Sequence, residues 1–108
     1  MNKFLLTGLL FILVGCGSKA DYPWFAGDFE SAQAEAKNKP IMLYFYADWW
    51  GGCKLLDADT FSDPMVANFA AENFISIKYN VDQEVGSDYF SKYNGYVMPT
   101  MVFVDQAG

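Results

Sequence analysis

Apolar and polar residues follow one another in blocks that predict strands and helices in turn. A continuous apolar run follows Pro40 over residues 41–46 (IMLYFY), which is typical of a strand buried on both faces. Two further apolar runs, residues 74–79 and residues 100–104, predict two more strands. Because segments with helical features lie between these strands, the sequence predicts a layered α/β domain.

Four segments have the features of helices. They are residues 29–37 behind the N-cap Asp28, residues 52–58, the segment that starts at Asp63-Pro64, and residues 87–93 before Asn94-Gly95. In the third segment, an apolar stripe is expected to face the core and is formed by Met65, Val66, Phe69 and Ala70.

Residues 1–15 have the pattern of a bacterial lipoprotein signal. A positive start at Lys3 precedes residues 4–14, of which nine of eleven are apolar. As a helix this run would be about 16 Å long, too short for a bilayer core of about 30 Å. The run ends in Leu13-Val14-Gly15-Cys16, which resembles the lipobox, where the chain is cut before the cysteine and lipid is attached to its sulfur.

The lipobox pattern predicts lipidation at Cys16, with residues 16–23 as the lipidated N-terminus and tether and residues 24–108 as the domain. Acyl chains would then anchor the protein without spanning the membrane. The expected location is the bacterial cell envelope, facing the periplasm or the cell exterior. Gly17 stands where aspartate is linked to inner-membrane retention, which favours the outer membrane. An ordinary secretory signal with an accidental cysteine is the alternative.

Composition removes several classes of function. The 108 residues include no histidine and no arginine, and 13 acidic residues stand against 7 lysines. A catalytic triad with histidine and a histidine-ligated metal site are therefore impossible. A formal charge of -6 argues against a nucleic-acid surface. We expect no metal and no other cofactor.

The stretch Tyr46-Ala47-Asp48-Trp49-Trp50-Gly51-Gly52-Cys53-Lys54 runs from a strand through a glycine turn into a helix. It resembles the thioredoxin family's strand, Trp-Cys-Gly-Pro-Cys-Lys loop and helix. The later Val97-Met98-Pro99-Thr100 resembles the family's segment with a cis-proline that faces the active-site cysteines. The sequence resembles the C-terminal thioredoxin-like domain of bacterial thiol:disulfide interchange membrane proteins more closely than it resembles thioredoxins in general. This closer resemblance rests on residues 39–43, 46–49 and 60–64.

The resemblance implies a thioredoxin fold, a mixed sheet flanked by helices, and a protein-disulfide reductase lineage. It places the catalytic pair at Trp50, which replaces the nucleophilic cysteine, and Cys53, which keeps the resolving position. The substrate groove it implies is formed by Trp49, Gly51, Gly52, Met98 and Pro99. Tyr44 stands where many thioredoxins carry a buried aspartate.

Thiol–disulfide exchange needs an attacking thiolate and a second thiol to release the mixed disulfide, so a single thiol cannot complete the cycle. We therefore expect a binding or accessory module for an extracytoplasmic protein or peptide. The alternative is an oxidoreductase that acts through Cys53 with a partner thiol, since a helix N-terminus and Lys54 favour a thiolate. Trp50 is open to three interpretations: an aromatic platform for peptides, a drifted residue without a role, or a local mutational change.

The turn at residues 105–108 follows the apolar strand of residues 100–104 with no further strand behind it. An apolar strand with an open edge is an aggregation liability, because its free backbone groups can pair with another chain. We therefore expect a thioredoxin fold that is truncated at the C-terminus, before its last strand and helix.

Overall fold

The structure, a computed structural model, describes residues 19–108. The signal at residues 1–15 and the lipidation site Cys16 lie outside the described residues. Seven elements follow one another: α1 (Phe29–Ala36), β1 (Ile41–Tyr46), α2 (Gly51–Asp59), α3 (Pro64–Asn73), β2 (Ile75–Asn80), α4 (Glu84–Lys92) and β3 (Thr100–Val104). Within the described residues, no helix is both long and apolar enough to cross a membrane.

The three strands form one mixed sheet in the order β2-β1-β3. β1 pairs with β2 in parallel, with Ile41 opposite Ile75, and with β3 in antiparallel, with Ile41 opposite Val104. As the central strand, β1 is buried along its length except at Tyr46, which is half-buried. The uninterrupted apolar sequence of residues 41–46 is thereby explained, and the expected mixed sheet flanked by helices is confirmed.

Each face of the sheet has its own apolar cluster. The first face packs against α1 and α4 through Ile41, Leu43 and Phe45 of the central strand. On the second face, Met42 and Tyr44 pack with Phe61, which follows α2. Alternate residues of β1 therefore serve opposite faces, as the two-residue period of a strand requires. The carboxyl end of β1 leads into a turn at residues 47–50, and α2 begins at Gly51, so both glycines lie in the helix and not in the turn that the sequence predicts.

Capping residues define where two helices begin. The side chain of Asp28 accepts a hydrogen bond from the Ser31 backbone N–H at 2.8 Å, and this bond lowers the pKa of the Asp28 carboxyl. Asp63 accepts from the Met65 N–H at 2.8 Å, with Pro64 as the first helical residue. Both caps agree with the sequence-based expectation, because an aspartate at this position satisfies a free helical N–H.

The expected buried stripe on α3 is wrong in part. Ala67 and Ala70 are the buried residues of this helix, whereas Met65 is 79% exposed and Phe69 is 61% exposed. The small alanines let the helix lie close to the sheet, and this turns the larger apolar side chains outward. Phe69 then packs edge-on against Phe74, with ring centroids 6.1 Å apart.

Helix α4 begins at Glu84, three residues before the predicted start, because Gly86 fits against the end of β2. A Cβ on Gly86 would lie 2.0 Å from the backbone oxygen of Asn80. We expect Gly86→Ala to lower the free energy of unfolding by about 1–3 kcal/mol, since the helix must shift away from the strand. Urea unfolding followed by circular dichroism measures the change.

Gly51→Ala is the matched control for that substitution. Gly51 also lies in a helix, but nothing comes within 4 Å of a Cβ built on it. The expected result is no loss of stability, because alanine favours a helix over glycine. Equal destabilisation by Gly86→Ala and Gly51→Ala would contradict the close approach between α4 and β2.

Candidate functional site

The carboxyl end of β1 positions the candidate site. After Tyr46 the chain turns at Ala47, whose carbonyl accepts a hydrogen bond from the Trp50 N–H at 3.2 Å. Trp50 is the N-cap residue of α2, and its carbonyl accepts from the Lys54 N–H at 3.2 Å. Cys53 is therefore the third residue of the helix, in its first turn. The sequence around the turn thus produces the strand, loop and helix that the resemblance implies.

The Trp50 side chain and Pro99 both lie next to Gly52, at the start of α2. A Cβ on Gly52 would lie 3.0 Å from Trp50 Nε1 and 3.4 Å from Pro99 Cδ, so glycine here allows the three residues to come together. The peptide bond between Met98 and Pro99 is cis. Trp50 is 43% exposed, so one part of its ring faces the turn and another faces solvent.

Further exposed apolar side chains stand beside Trp50 and Pro99 in the sequence. Trp49 is 61% exposed, and Tyr96 and Val97, just before Pro99, are 91% and 54% exposed. We call the surface formed by Trp49, Trp50, Tyr96, Val97 and Pro99 the Trp50 surface. Large aromatic side chains that are partly exposed are typical of binding sites for other chains. Val97 belongs to the segment that resembles the family's cis-proline segment, but neither Tyr96 nor Val97 was predicted as a groove residue; their place beside Pro99 was the available signal.

Trp49 is held by a residue that the sequence did not reveal. Its Nε1 donates a hydrogen bond to Asp82 Oδ2 at 2.8 Å, and its ring meets that of Trp50 edge-on at a centroid distance of 5.9 Å. The Asp82 backbone N–H donates to Asn80 Oδ1 at 2.9 Å. Because β1 and β2 are parallel, the loops that follow them meet at one edge of the sheet, and this topology was the available signal.

Cys53 is buried, with 2% of its surface exposed, and is free of any disulfide. It is the only cysteine in the described part of the chain, residues 19–108. The structure brings Trp50 and Pro99 next to Gly52, whereas the adjacent Cys53 is buried. A thiolate must reach a disulfide sulfur to attack it, so the folded site offers no accessible nucleophile.

Tyr44 lies in the core beside Cys53. It is 0% exposed, and its hydroxyl has no hydrogen-bond partner. Burial, followed by the effect of the Cys53 side chain, raises the pKa of Tyr44 far above the ordinary tyrosine value. A tyrosine hydroxyl is protonated at neutral pH even at its ordinary pKa, and burial of Tyr44 raises that pKa further, so it cannot accept a proton from the thiol. A buried aspartate would be able to do so.

Two tyrosine-to-phenylalanine substitutions on the same face should have opposite effects. Tyr44→Phe removes a buried hydroxyl without a partner, so the melting temperature should stay the same or rise. Tyr22→Phe removes the 2.8 Å hydrogen bond to Ser76 Oγ, which is 1% exposed and would be left unpaired. Its expected cost is about 1–3 kcal/mol. Thermal unfolding of both variants measures the difference, and a larger loss for Tyr44→Phe would contradict it.

No three histidine, cysteine, aspartate or glutamate side chains within residues 19–108 lie close enough together to hold a metal ion. The polar groups at the site are instead engaged with one another. Asn80 Nδ2 lies 3.5 Å from Asp48 Oδ2, and Asp82 binds Trp49. Because Asp82 holds the Trp49 side chain in one orientation, the site presents an ordered aromatic surface.

Comparison with known proteins agrees with this geometry. Residues 23–106 match the family model described as Thioredoxin-like. The chain is 36% identical over 83 residues to the thiol:disulfide interchange protein DsbD of Escherichia coli K12, an alignment that covers 75% of this chain and 14% of that protein. The chain therefore spans only about a seventh of that relative's length.

Two solved structures share the fold. The C-terminal domain of Neisseria meningitidis DsbD in its oxidised form has a TM-score of 0.59 and 28% identity, covering 74% of this chain and 70% of that one. The DsbH oxidoreductase has a TM-score of 0.70 and 18% identity, covering 84% and 70% respectively. With most of its residues matched by the family model, and with relatives among thiol:disulfide interchange proteins, this chain belongs to the thioredoxin-like family.

Proposed function

We propose that this protein is a lipid-anchored, thioredoxin-like binding module of the bacterial cell envelope. Its Trp50 surface binds extended segments of extracytoplasmic proteins, and it does not carry out a dithiol redox cycle. The relatives named thiol:disulfide interchange proteins support the lineage, and the residues of this chain support the loss of the chemistry.

The observation that carries the proposal is the position of the Trp50 indole. It stands at the place that the resemblance assigns to the nucleophilic cysteine, and both its indole and Pro99 lie next to Gly52. An aromatic ring beside an exposed edge of backbone can pack against the side chains of an extended peptide. Asp82 orients the neighbouring Trp49 through its hydrogen bond at 2.8 Å, so part of the surface is ordered before a partner arrives.

The envelope location rests on the sequence of residues 1–16. The lipobox at Leu13-Val14-Gly15-Cys16 predicts an acyl anchor on the cysteine sulfur, and Gly17 favours the outer membrane. Lipidation would consume the Cys16 thiol, which leaves Cys53 as the single thiol of the mature chain. A module with one buried thiol cannot release a mixed disulfide by itself.

Titration with an unfolded protein whose cysteines are carboxymethylated tests the binding. Such a probe is extended and has no thiol or disulfide, so a saturable change in tryptophan fluorescence reports binding without exchange. The third tryptophan, Trp24, packs against Tyr44 and Phe61 and is not part of the Trp50 surface, so Trp24→Phe should leave the change intact. Absence of any saturable change with the wild-type protein would contradict the proposed binding function.

A second candidate is an oxidoreductase that acts through Cys53 with a partner. Its place in the first turn of α2, followed by Lys54, favours this candidate. The Cys53 thiolate would attack a partner's disulfide and release one partner thiolate. A second partner thiol would then break the mixed disulfide and return Cys53 to its starting state.

The rate of alkylation of Cys53 separates the two candidates. With 2% of the residue exposed, iodoacetamide should modify it slowly in the folded protein and rapidly in urea. The Cys16→Ser variant removes the other thiol and makes the signal specific. Rapid modification of the folded protein would favour the oxidoreductase, and resistance would eliminate it.

A further inference from the structure

The segment that leads into the domain is bound to it along its described length. The Ala20 backbone N–H donates to the Ser62 carbonyl at 2.9 Å, between α2 and α3. Lys19 Nζ lies 3.5 Å from the carbonyl oxygen of Ala58, in the last turn of α2. The chain therefore reaches the domain at the corner between these two helices.

Aromatic packing holds the other end of this segment. The Tyr22 hydroxyl is hydrogen-bonded to Ser76 Oγ at 2.8 Å, and its ring meets Phe61 at a centroid distance of 4.8 Å. The Trp24 ring is stacked on Tyr44 at 5.6 Å and meets Phe61 edge-on at 5.0 Å. Since Ser76 and Tyr44 belong to the core, residues 19–24 move with the domain as one body.

The attachment point and the Trp50 surface lie at opposite ends of α2. The helix has nine residues, so its ends are about 13 Å apart. Three peptide units separate Cys16 from Lys19 and span about 11 Å at most. Because this reach is shorter than the helix, a lipid on Cys16 would enter the membrane on the side of the domain that carries the corner between α2 and α3, which we define as residues 58–63.

We propose that the anchor holds the domain in one orientation, with the corner of residues 58–63 against the lipid surface and the Trp50 surface turned away from it. The inference rests on the proposed lipid anchor and adds a contact surface to it. Asp59 and Asp63 are exposed at the corner, so anionic headgroups would repel the corner and electrostatic attraction cannot be what holds it there. Residues 19–24, which are packed against the domain, set the orientation. The same orientation is therefore expected on zwitterionic vesicles, which carry no net charge.

Two single-cysteine labels on the lipidated, full-length protein test the orientation. Asp59→Cys places a fluorophore at the corner, and Gln83→Cys places one beside Asp82, which contacts Trp49. Both positions are exposed, and Cys16 carries the lipid. Cys53 is buried, and the wild-type protein treated with the same fluorophore measures any labelling there. In phosphatidylcholine vesicles that contain a headgroup quencher, we expect several-fold stronger quenching at residue 59 than at residue 83.

An insertion of ten Gly/Ser residues between Ser18 and Lys19 is the control. It gives the domain a mean reach of about 17 Å from its anchor, so the difference between the two labels should disappear. If the protein without the insertion floats with the vesicles and yet shows equal quenching at residues 59 and 83, that result overturns the proposed orientation but not the lipid anchor. A wild-type protein that does not float with vesicles would overturn the lipid anchor, and the orientation with it.

Discussion

Trp50→Cys should form a disulfide with Cys53 and gain the ability to reduce insulin. Residue 50 is the N-cap of α2 and residue 53 lies in its first turn, so the two Cα atoms are separated by a distance that a disulfide can bridge. Oxidised glutathione takes up the two electrons and two protons that the thiols lose. Mass spectrometry then shows a loss of about 2 Da, and removing the indole from Gly52 exposes the pair.

Trp49→Cys is the matched control for this gain of activity. It also exchanges an exposed tryptophan for a cysteine, but it lacks the two-residue spacing to Cys53. We expect no reductase activity from it. A Trp50→Cys protein that folds yet neither forms the disulfide nor reduces insulin would contradict descent from a dithiol enzyme with an otherwise intact site.

Tyr44 sets a limit on how much activity that variant recovers. Its hydroxyl is protonated at neutral pH, as in any ordinary tyrosine, and burial raises the pKa of Tyr44 further. The resolving thiol therefore has no buried base, and Trp50→Cys should turn over more slowly than a complete thioredoxin. Adding Tyr44→Asp to Trp50→Cys should accelerate the exchange, provided that circular dichroism shows a folded protein.

Trp50→Ala should weaken binding of a carboxymethylated, unfolded protein by about 30-fold or more. A loss of that size corresponds to about 2 kcal/mol, which is usual for a tryptophan at the centre of an interface. The indole and Pro99 both lie next to Gly52, so removal of the indole breaks the middle of the Trp50 surface. Isothermal titration calorimetry measures the affinity directly.

Met65→Ala is the control for that loss. Met65 is 79% exposed on α3 and lies outside the Trp50 surface, so its truncation removes apolar area without touching the site. The affinity should be unchanged. Equal weakening by Met65→Ala and Trp50→Ala would mean that the unfolded protein adheres to any exposed apolar side chain, and the proposed binding surface would be wrong.

Much of the fold could be predicted from the sequence because its signals were local. The apolar run of residues 41–46 coincides with β1, and residues 100–104 coincide with β3. Asp28 and Asp63 cap α1 and α3 as expected. Each of these features depends on residues that are close together in the sequence, so the sequence alone is enough to predict them.

The parts that could not be predicted depend on contacts between distant segments. On α3, both the alanines and the larger apolar residues follow a helical period, so the sequence alone could not decide which set faces the sheet. The hydrogen bond from Trp49 to Asp82 joins two loops that only the sheet brings together. The early start of α4 likewise depends on the fit of Gly86 against Asn80.

The candidate site likewise has parts that the sequence could predict and parts that depend on contacts between distant segments. The resemblance placed Trp50 and Pro99 near one another, and the structure puts them on either side of Gly52. The burial of Cys53 and the lack of a partner for the Tyr44 hydroxyl depend on packing around the whole second face of the sheet. These two features are what argue against a redox role for the wild-type site.

Insulin reduction by the wild-type protein tests the central claim most directly. With dithiothreitol as the electron donor, a dithiol thioredoxin accelerates precipitation of the insulin B chain, because its two cysteines are recycled after each turnover. Trp50 occupies one of those positions here, and Cys53 is buried. We predict precipitation at the rate of dithiothreitol alone. Turnover comparable to that of a dithiol thioredoxin would contradict the proposal.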